Sequence, residues 1–241
     1  MTATDLWLVR HGESVANVAA SRAEREGLER IDMDIRDADV PLSPTGREQA
    51  SALARWWSAH EGSIDVCWVS PYRRARETLE IARSESSANP PTAVDERLRD
   101  RELGILDLLT RHGVTVLHPE EAERRRHLGK FYHRPPGGES WADVALRLRS
   151  FVADALPGSS GGGLVVAHDA VVMLALYVLL QLDETRLLEF AATHTVLNAS
   201  VTHVTRSAAG WELVEFSDVS HLEVEGAPVT VHPGSPDVEP R

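Results

Sequence analysis

Short apolar runs alternate along this chain with segments whose apolar positions recur at helical spacing. The runs "DLWLV" (5–9), "IDVCWV" (64–69), "GLVVA" (163–167), "SVTHVT" (200–205) and "WELVEF" (211–216) have the length and β-branched or aromatic content of buried strands. Between them, "SPTGREQASALARWW" places Ser43 as an N-cap with Pro44 at the first helical position, and "SPYRRARETLEIA" repeats the device with Ser70 and Pro71. "ESWADVALRLRSFV" starts from Ser140 with Asp143 three residues on, a weaker form of the capping box, and sets Trp141, Val144, Leu148 and Phe151 towards one side. Strands that alternate with helices predict an α/β fold, a three-layer α/β/α sandwich on a mainly parallel sheet. Two stretches break the alternation. Residues 107–138 carry a charged helix, "PEEAERRRHLGKF", followed by "YHRPPGG", and read as a helical insertion over one end of the sheet. The Pro- and Gly-rich end, "VEGAPVTVHPGSPDVEPR", reads as a disordered tail over 224–241, which leaves one domain over 1–223.

Composition narrows the classes. The chain has 241 residues and is 42% hydrophobic, enough for one large domain with a core. With 25 basic against 37 acidic residues its formal charge is −12, which repels nucleic acid and anionic membranes. The single cysteine, Cys67, sits in an apolar run, so no disulfide framework and no thiolate metal cluster is expected. "MTATD" lacks the basic start and apolar core of a secretory signal, and no apolar stretch reaches the ~18 residues of a membrane span, so a cytoplasmic location is expected. A homodimer is compatible with an α/β protein of this size, though no apolar surface stripe demands it.

Three polar motifs then share one place in the pattern. Arg10-His11-Gly12 follows the first strand, Ser70 to Arg74 follow the second, and His168 follows "GLVVA". In an open parallel sheet ligands bind beyond the carboxyl ends of the strands, where residues distant in sequence meet. Arg10, His11, Arg74 and His168 would form one cationic cluster in an acidic protein. Its natural guest is a phosphate, which suits guanidinium forks and helix N-terminal amides. Each residue alone has a plainer reading: the arginines as a solvated helix face, His168 as a satisfied core histidine. His112, His118, His127 and His133 lack zinc-site spacing, so no metal is expected.

"LVRHGES" followed by Asn17 resembles the signature of the histidine phosphatase superfamily, which includes phosphoglycerate mutase-like enzymes and the fructose-2,6-bisphosphatases. "PLSPTGREQA", "SPYRRARET", "LRDRELG" and "GGLVVAHDAVV" resemble further elements of the family in family order, from residue 6 to about 205. The resemblance implies that His11 is a nucleophile forming a phosphohistidine, that Arg10, Arg74 and His168 surround the transferring phosphoryl oxygens, and that Asn17 adds a neutral donor. Neither metal nor cofactor is implied. A carboxyl group must protonate the leaving alkoxide and later activate water. The family position, usually glutamate, falls on Asp100; Glu102 and Asp169 remain alternatives. "KFYHRPPGGES" is similar to the bisphosphatase segment that holds the sugar phosphate, with Lys130, Arg134 and Glu139 matching and Gly137 where a lysine would stand. The expected activity is hydrolysis of a small phosphorylated metabolite of sugar or glycerate phosphate type. A phosphoglycerate mutase-type transferase and a non-catalytic phosphate-binding module are the alternatives.

Overall fold

The computed structural model describes residues 3–84, 86, 88–157 and 161–232. One sheet organises it: β1 (Ala3–Arg10), β2 (Ile64–Val69), β3 (Thr92–Val94), β4 (Gly161–Ala167), β5 (Val201–Ser207) and β6 (Gly210–Asp218), in the spatial order β3-β2-β4-β1-β5-β6. β3, β2, β4 and β1 run parallel, whereas β5 is antiparallel to β1 and β6 antiparallel to β5. Nine helices accompany it among the described residues: α1 (Val15–Glu26), α2 (Pro44–His60), α3 (Arg73–Ala82), α4 (Arg111–Leu117), α5 (Pro119–Tyr132), α6 (Trp141–Ala155), α7 (Asp169–Leu179), α8 (Glu184–Thr193) and α9 (Ser220–Glu225).

Side-chain alternation divides the core in two. Leu6 and Leu8 of β1, Trp68 of β2, and Val165 and Ala167 of β4 face a cluster that includes Trp141, Val144, Leu148 and Phe151 of α6 and Val172 and Leu176 of α7. Their neighbours Trp7, Val9, Cys67, Val69, Leu164 and Val166 face Leu53 and Trp57 of α2 with Ala75 and Leu79 of α3. Strands apolar on both faces are what a parallel sheet covered by helices requires. The fold is therefore the α/β/α sandwich that the pattern predicts. Burial pushes the Cys67 thiol up to about 12, so it stays protonated within the sheet.

Two local expectations need correction. Ser43 and Ser140 cap α2 and α6, the latter with the full reciprocal box through Asp143. Ser70 does not cap α3. That helix starts at Arg73, and the Ser70 hydroxyl is committed to His168. The C-terminal stretch also departs from the reading of a tail disordered from 224. α9 runs to Glu225, and residues 228–232 are hydrogen-bonded across the carboxyl end of the sheet; residues 233–241 lie outside the described residues. The span 107–138 holds α4 and α5. Its ends are tied by Ile31 N–H to Leu108 O and by Ile105 N–H to Pro136 O. Among the described residues no helix is long and apolar enough to cross a membrane.

Candidate active site

β1 delivers Arg10 and hands the chain to a tight loop, His11 to Ser14, before α1 begins. The motifs downstream hold this loop in place. Thr78 of α3 accepts from Gly12 N–H at 3.1 Å, Gln49 of α2 accepts from Glu13 N–H at 2.8 Å, and Ser43 donates to Glu13 at 2.6 Å. The loop also presses on the start of α2. A Cβ on Gly12 would stand 2.5 Å from Gly46 O, and one on Gly46 would stand 1.9 Å from Glu13 O, so both positions exclude any side chain. On the other side, Asn198 Nδ2 and Ala199 N–H both donate to His11 O at 3.2 Å. Asn198 is fully buried, so its side chain is part of the framework beneath the loop.

His11 is thereby presented in one tautomer. Its Nδ1 lies 2.6 Å from Gly12 O, which only a proton on Nδ1 satisfies, and Nε2 accepts from Arg74 Nε at 3.2 Å. Burial, then the charges of Arg74, His168 and Arg10, hold its imidazole well below the ordinary 6.5. The ring is neutral at physiological pH, with its lone pair on Nε2.

His168 stands at the end of β4 as the residue preceding α7, its ring centroid 5.2 Å from that of His11. Its Nε2 is 2.8 Å from Ser70 Oγ, which itself accepts from Tyr72 N–H, and its Nδ1 is 3.2 Å from Asp100 Oδ2. A neutral ring that takes the Ser70 proton at Nε2 keeps its own on Nδ1, facing the carboxylate. Burial lowers the His168 pKa although Asp100 works against it. Burial also acts to raise the Asp100 pKa, but His168, Arg74 and the Arg101 amide outweigh it and leave the carboxyl well below its usual range.

Arg74, nearly buried, binds the cluster together. Nη2 donates to Asp100 at 2.9 Å, and Nη1 donates to the Asp37 carbonyl at 2.7 Å and to its carboxylate at 2.8 Å. Asp37 and Asp100 outweigh burial and raise its pKa. Arg10 donates to Val196 O at 2.5 Å and to His232 O at 2.9 Å, and its Nε has no partner among the described residues. His232 belongs to the C-terminal stretch, which is fastened further by Gln49 to Pro228 O at 2.7 Å and by His232 to Glu13 at 2.7 Å.

The structure thus brings Arg10, His11, Arg74, His168 and Asp100 together. Asn17 sits at the third position of α1, where its Oδ1 accepts from Ser14 N–H, leaving Nδ2 as its donor. Of the alternative acids, Glu102 is exposed and accepts from Tyr72 OH at 3.0 Å, and Asp169 accepts from its neighbour Ala170 N–H. Arg134 is not in the cluster. It is 62% exposed and ion-paired to Asp143, while Lys130 lies over the Trp141 ring and Glu139 pairs with Arg99 and Arg147. Sequence reasoning missed Asp37, Tyr72 and the C-terminal stretch. Asp37 carried one signal, a long connection from α1 to α2 dense in aspartate.

One group among the described residues has metal-ligand spacing: His11, Asp100 and His168, with ligand atoms within 4.8 Å of one another. The Arg74 guanidinium, 3.2 Å from His11 Nε2, opposes a cation there and favours an anion. The four histidines of residues 112–133 form no such group.

The site thus sets a neutral imidazole beside the Arg74 guanidinium, with a second histidine and a carboxyl group next to it. The model of the histidine phosphatase superfamily (branch 1) matches residues 6–219, and the chain belongs to that family. Similar proteins include a 2,3-bisphosphoglycerate-dependent phosphoglycerate mutase 2 of Gloeobacter violaceus, 32% identical over 74% of this chain and 75% of that one. A 6-phosphofructo-2-kinase/fructose-2,6-bisphosphatase of Caenorhabditis elegans is 29% identical over 71% of this chain, a region that spans only 33% of that longer protein. Among solved structures, a mycobacterial glucosyl-3-phosphoglycerate phosphatase in complex with VO3 superposes with a TM-score of 0.71 at 26% identity, covering 90% of this chain and 100% of that one.

Proposed function

We propose that this enzyme is a metal-independent phosphatase that hydrolyses small phosphomonoesters, of sugar or glycerate phosphate type, through a phosphohistidine on His11. The observation that carries the reading is the tautomer lock on His11, which leaves a neutral Nε2 lone pair beside Arg74. Nε2 attacks phosphorus, the N–P bond forms, and the ester P–O bond breaks. Arg10, Arg74, Asn17 and His168 donate to the three phosphoryl oxygens, where negative charge is spread in the transition state. Asp100 gives its proton to the departing alkoxide. Water then attacks phosphorus, Asp100 takes the water proton, the N–P bond breaks and phosphate leaves.

With His168, Arg74 and the Arg101 amide around it, Asp100 is ionised. A phosphoryl group that draws the Arg74 guanidinium and the His168 N–H to itself takes away the donors that hold the carboxyl down and sets an anion beside it, so the carboxyl takes up a proton as substrate binds. The similar proteins named as a phosphatase and as a mutase are compatible with this two-step chemistry. They differ in what accepts the phosphoryl group. Phosphorus NMR of 3-phosphoglycerate and a panel of phosphorylated metabolites, with and without 2,3-bisphosphoglycerate, separates the two. Free phosphate released without primer is the expected result. Primer-dependent 2-phosphoglycerate appearing faster than free phosphate accumulates from any panel member would place the enzyme with the mutases.

A further inference from the structure

The Asp100 carboxyl stands on a stretch of chain with no regular structure of its own. Residues 99–103 join two 3-10 turns, Glu96–Leu98 and Gly104–Leu106, and belong to no helix or strand. Aspartate has a short side chain, so a displacement of this backbone passes almost undiminished to the carboxyl. The backbone groups of an irregular segment must find partners elsewhere. Here they find them at the start of α6. Arg147 Nη1 donates to Arg97 O, and Arg147 Nη2 donates to Asp100 O at 3.1 Å. Glu139 N–H donates to Glu102 O at 2.8 Å, and Glu102 N–H donates to Glu139 Oε2 at 3.3 Å.

The two side chains also fix each other. Arg147 Nε and Nη2 donate to Glu139 Oε1 and Oε2 at 3.0 and 3.1 Å, a bidentate fork between two largely buried groups. Arg99 Nη2 adds a donor to Oε1 at 2.7 Å. With the Glu102 amide included, both carboxylate oxygens of Glu139 are saturated by the protein itself, although the bisphosphatase resemblance set this residue in a substrate-holding segment. The support behind the fork is firm. Glu139 directly precedes Ser140, the N-cap of α6, and Trp141, Val144 and Leu148 bury that helix against the sheet.

This clamp matters most once a phosphoryl group has drawn the Arg74 guanidinium and the His168 N–H to itself. The Asp100 carboxyl then loses both of those partners, and the donor left to it, the Arg101 amide, belongs to the same loop. We propose that Glu139 and Arg147 are positioning residues that act through Asp100: by clamping residues 97–102 they hold its carboxyl at the bridging oxygen of the ester. The inference rests on the proposed role of Asp100 as the acid.

A mutant cycle read by two esters tests it. kcat/KM is measured for an alkyl phosphate and for p-nitrophenyl phosphate in the native enzyme, Glu139→Gln, Arg147→Lys, Asp100→Asn and the double variant Asp100→Asn with Glu139→Gln. Glutamine removes the charge that holds the fork, and lysine keeps the charge of Arg147 but not the planar fork. Each of these two substitutions is expected to lower the alkyl phosphate by roughly 10- to 100-fold more than p-nitrophenyl phosphate, whose leaving group barely needs a proton. In the Asp100→Asn background, Glu139→Gln is expected to leave the ratio of the two esters where Asp100→Asn put it, because the group it positions is gone. Taking the ratio within each protein cancels any loss of folded enzyme, so a merely structural role would leave it at the native value. A native ratio in both Glu139→Gln and Arg147→Lys, or a further full loss in the double variant, overturns the proposal while the acid assignment stands on Asp100→Asn alone. A native ratio in Asp100→Asn overturns the acid assignment and the role of the clamp with it.

Discussion

Replacing Asp100 with asparagine probes the acid assignment most sharply. Its Oδ2 lies 2.9 Å from Arg74 Nη2 and 3.2 Å from His168 Nδ1, and Asp100 offers a carboxylate oxygen within 4.8 Å of a ring nitrogen of His11, so a phosphoryl group on His11 is expected to bring its bridging oxygen to this carboxyl. Asparagine preserves the shape and can still accept from Arg74, but it cannot deliver a proton. General acid catalysis contributes roughly 10²–10⁴-fold where the leaving group is an alkoxide. p-Nitrophenolate leaves almost unaided, so its loss should stay within about tenfold. A second effect has the opposite sign. Two unit charges about 5 Å apart repel by roughly 3 kcal/mol at an effective dielectric of about 20, so removing the carboxylate charge should tighten inorganic phosphate at least tenfold. Steady-state kinetics with an alkyl phosphate and with p-nitrophenyl phosphate, together with phosphate inhibition constants, read both effects. Equal losses on the two esters would refute the assignment. A larger leaving-group dependence in Glu102→Gln or Asp169→Asn would transfer the role to that residue.

Other consequences follow from the same framework. Gly46→Ala forces a Cβ to within 1.9 Å of Glu13 O, so it should cost a few kcal/mol on thermal unfolding and depress turnover by displacing the His11 loop; unchanged stability and activity would contradict the packing argument. Deleting residues 227–241 removes the acceptors of the buried Gln49 amide and one acceptor of Arg10, which should lower stability by about 1–3 kcal/mol and raise KM for any phosphate ester, whereas an unaltered protein would show that the stretch does not support Arg10. For pH, burial and the neighbouring cations keep folded His11 neutral below 6.5, where an unfolded imidazole takes a proton. The unfolded state then binds more protons, and stability falls as pH drops from about 6.5; urea midpoints should show a shallower fall in His11→Ala, and an identical slope would refute the depressed pKa.

Much of this architecture was legible because burial on both faces leaves continuous apolar runs. β2 occupies the run Ile64–Val69, and the other four runs each lie in a strand that differs by a few residues at its ends. β3 escaped because its three residues are exposed at the sheet edge and carry no apolar pattern. Ser70-Pro71 has the composition of a helix start, but the hydroxyl is spent on His168, a long-range demand that local spacing does not register. The C-terminal stretch was misread for a related reason: it is held by the backbone carbonyls of Pro228, Thr230 and His232 and by the side chains of Thr230 and His232, all on partners distant in sequence, which composition does not register. Arg10, His11, Arg74 and His168 were legible together because each follows or flanks a strand end. Asp37 was not, since an aspartate in an acidic connection reads as solvated until its partner is known.

A phosphohistidine on His11 is the central step of the proposed reaction. Rapid acid-free quenching of the enzyme during turnover of a phosphomonoester, followed by peptide mapping, should find phosphate on His11 in a linkage stable to alkali and labile to acid. The same experiment on His11→Ala should find none, with turnover reduced by orders of magnitude. Phosphate trapped on another residue, or undiminished hydrolysis by His11→Ala, would contradict the account.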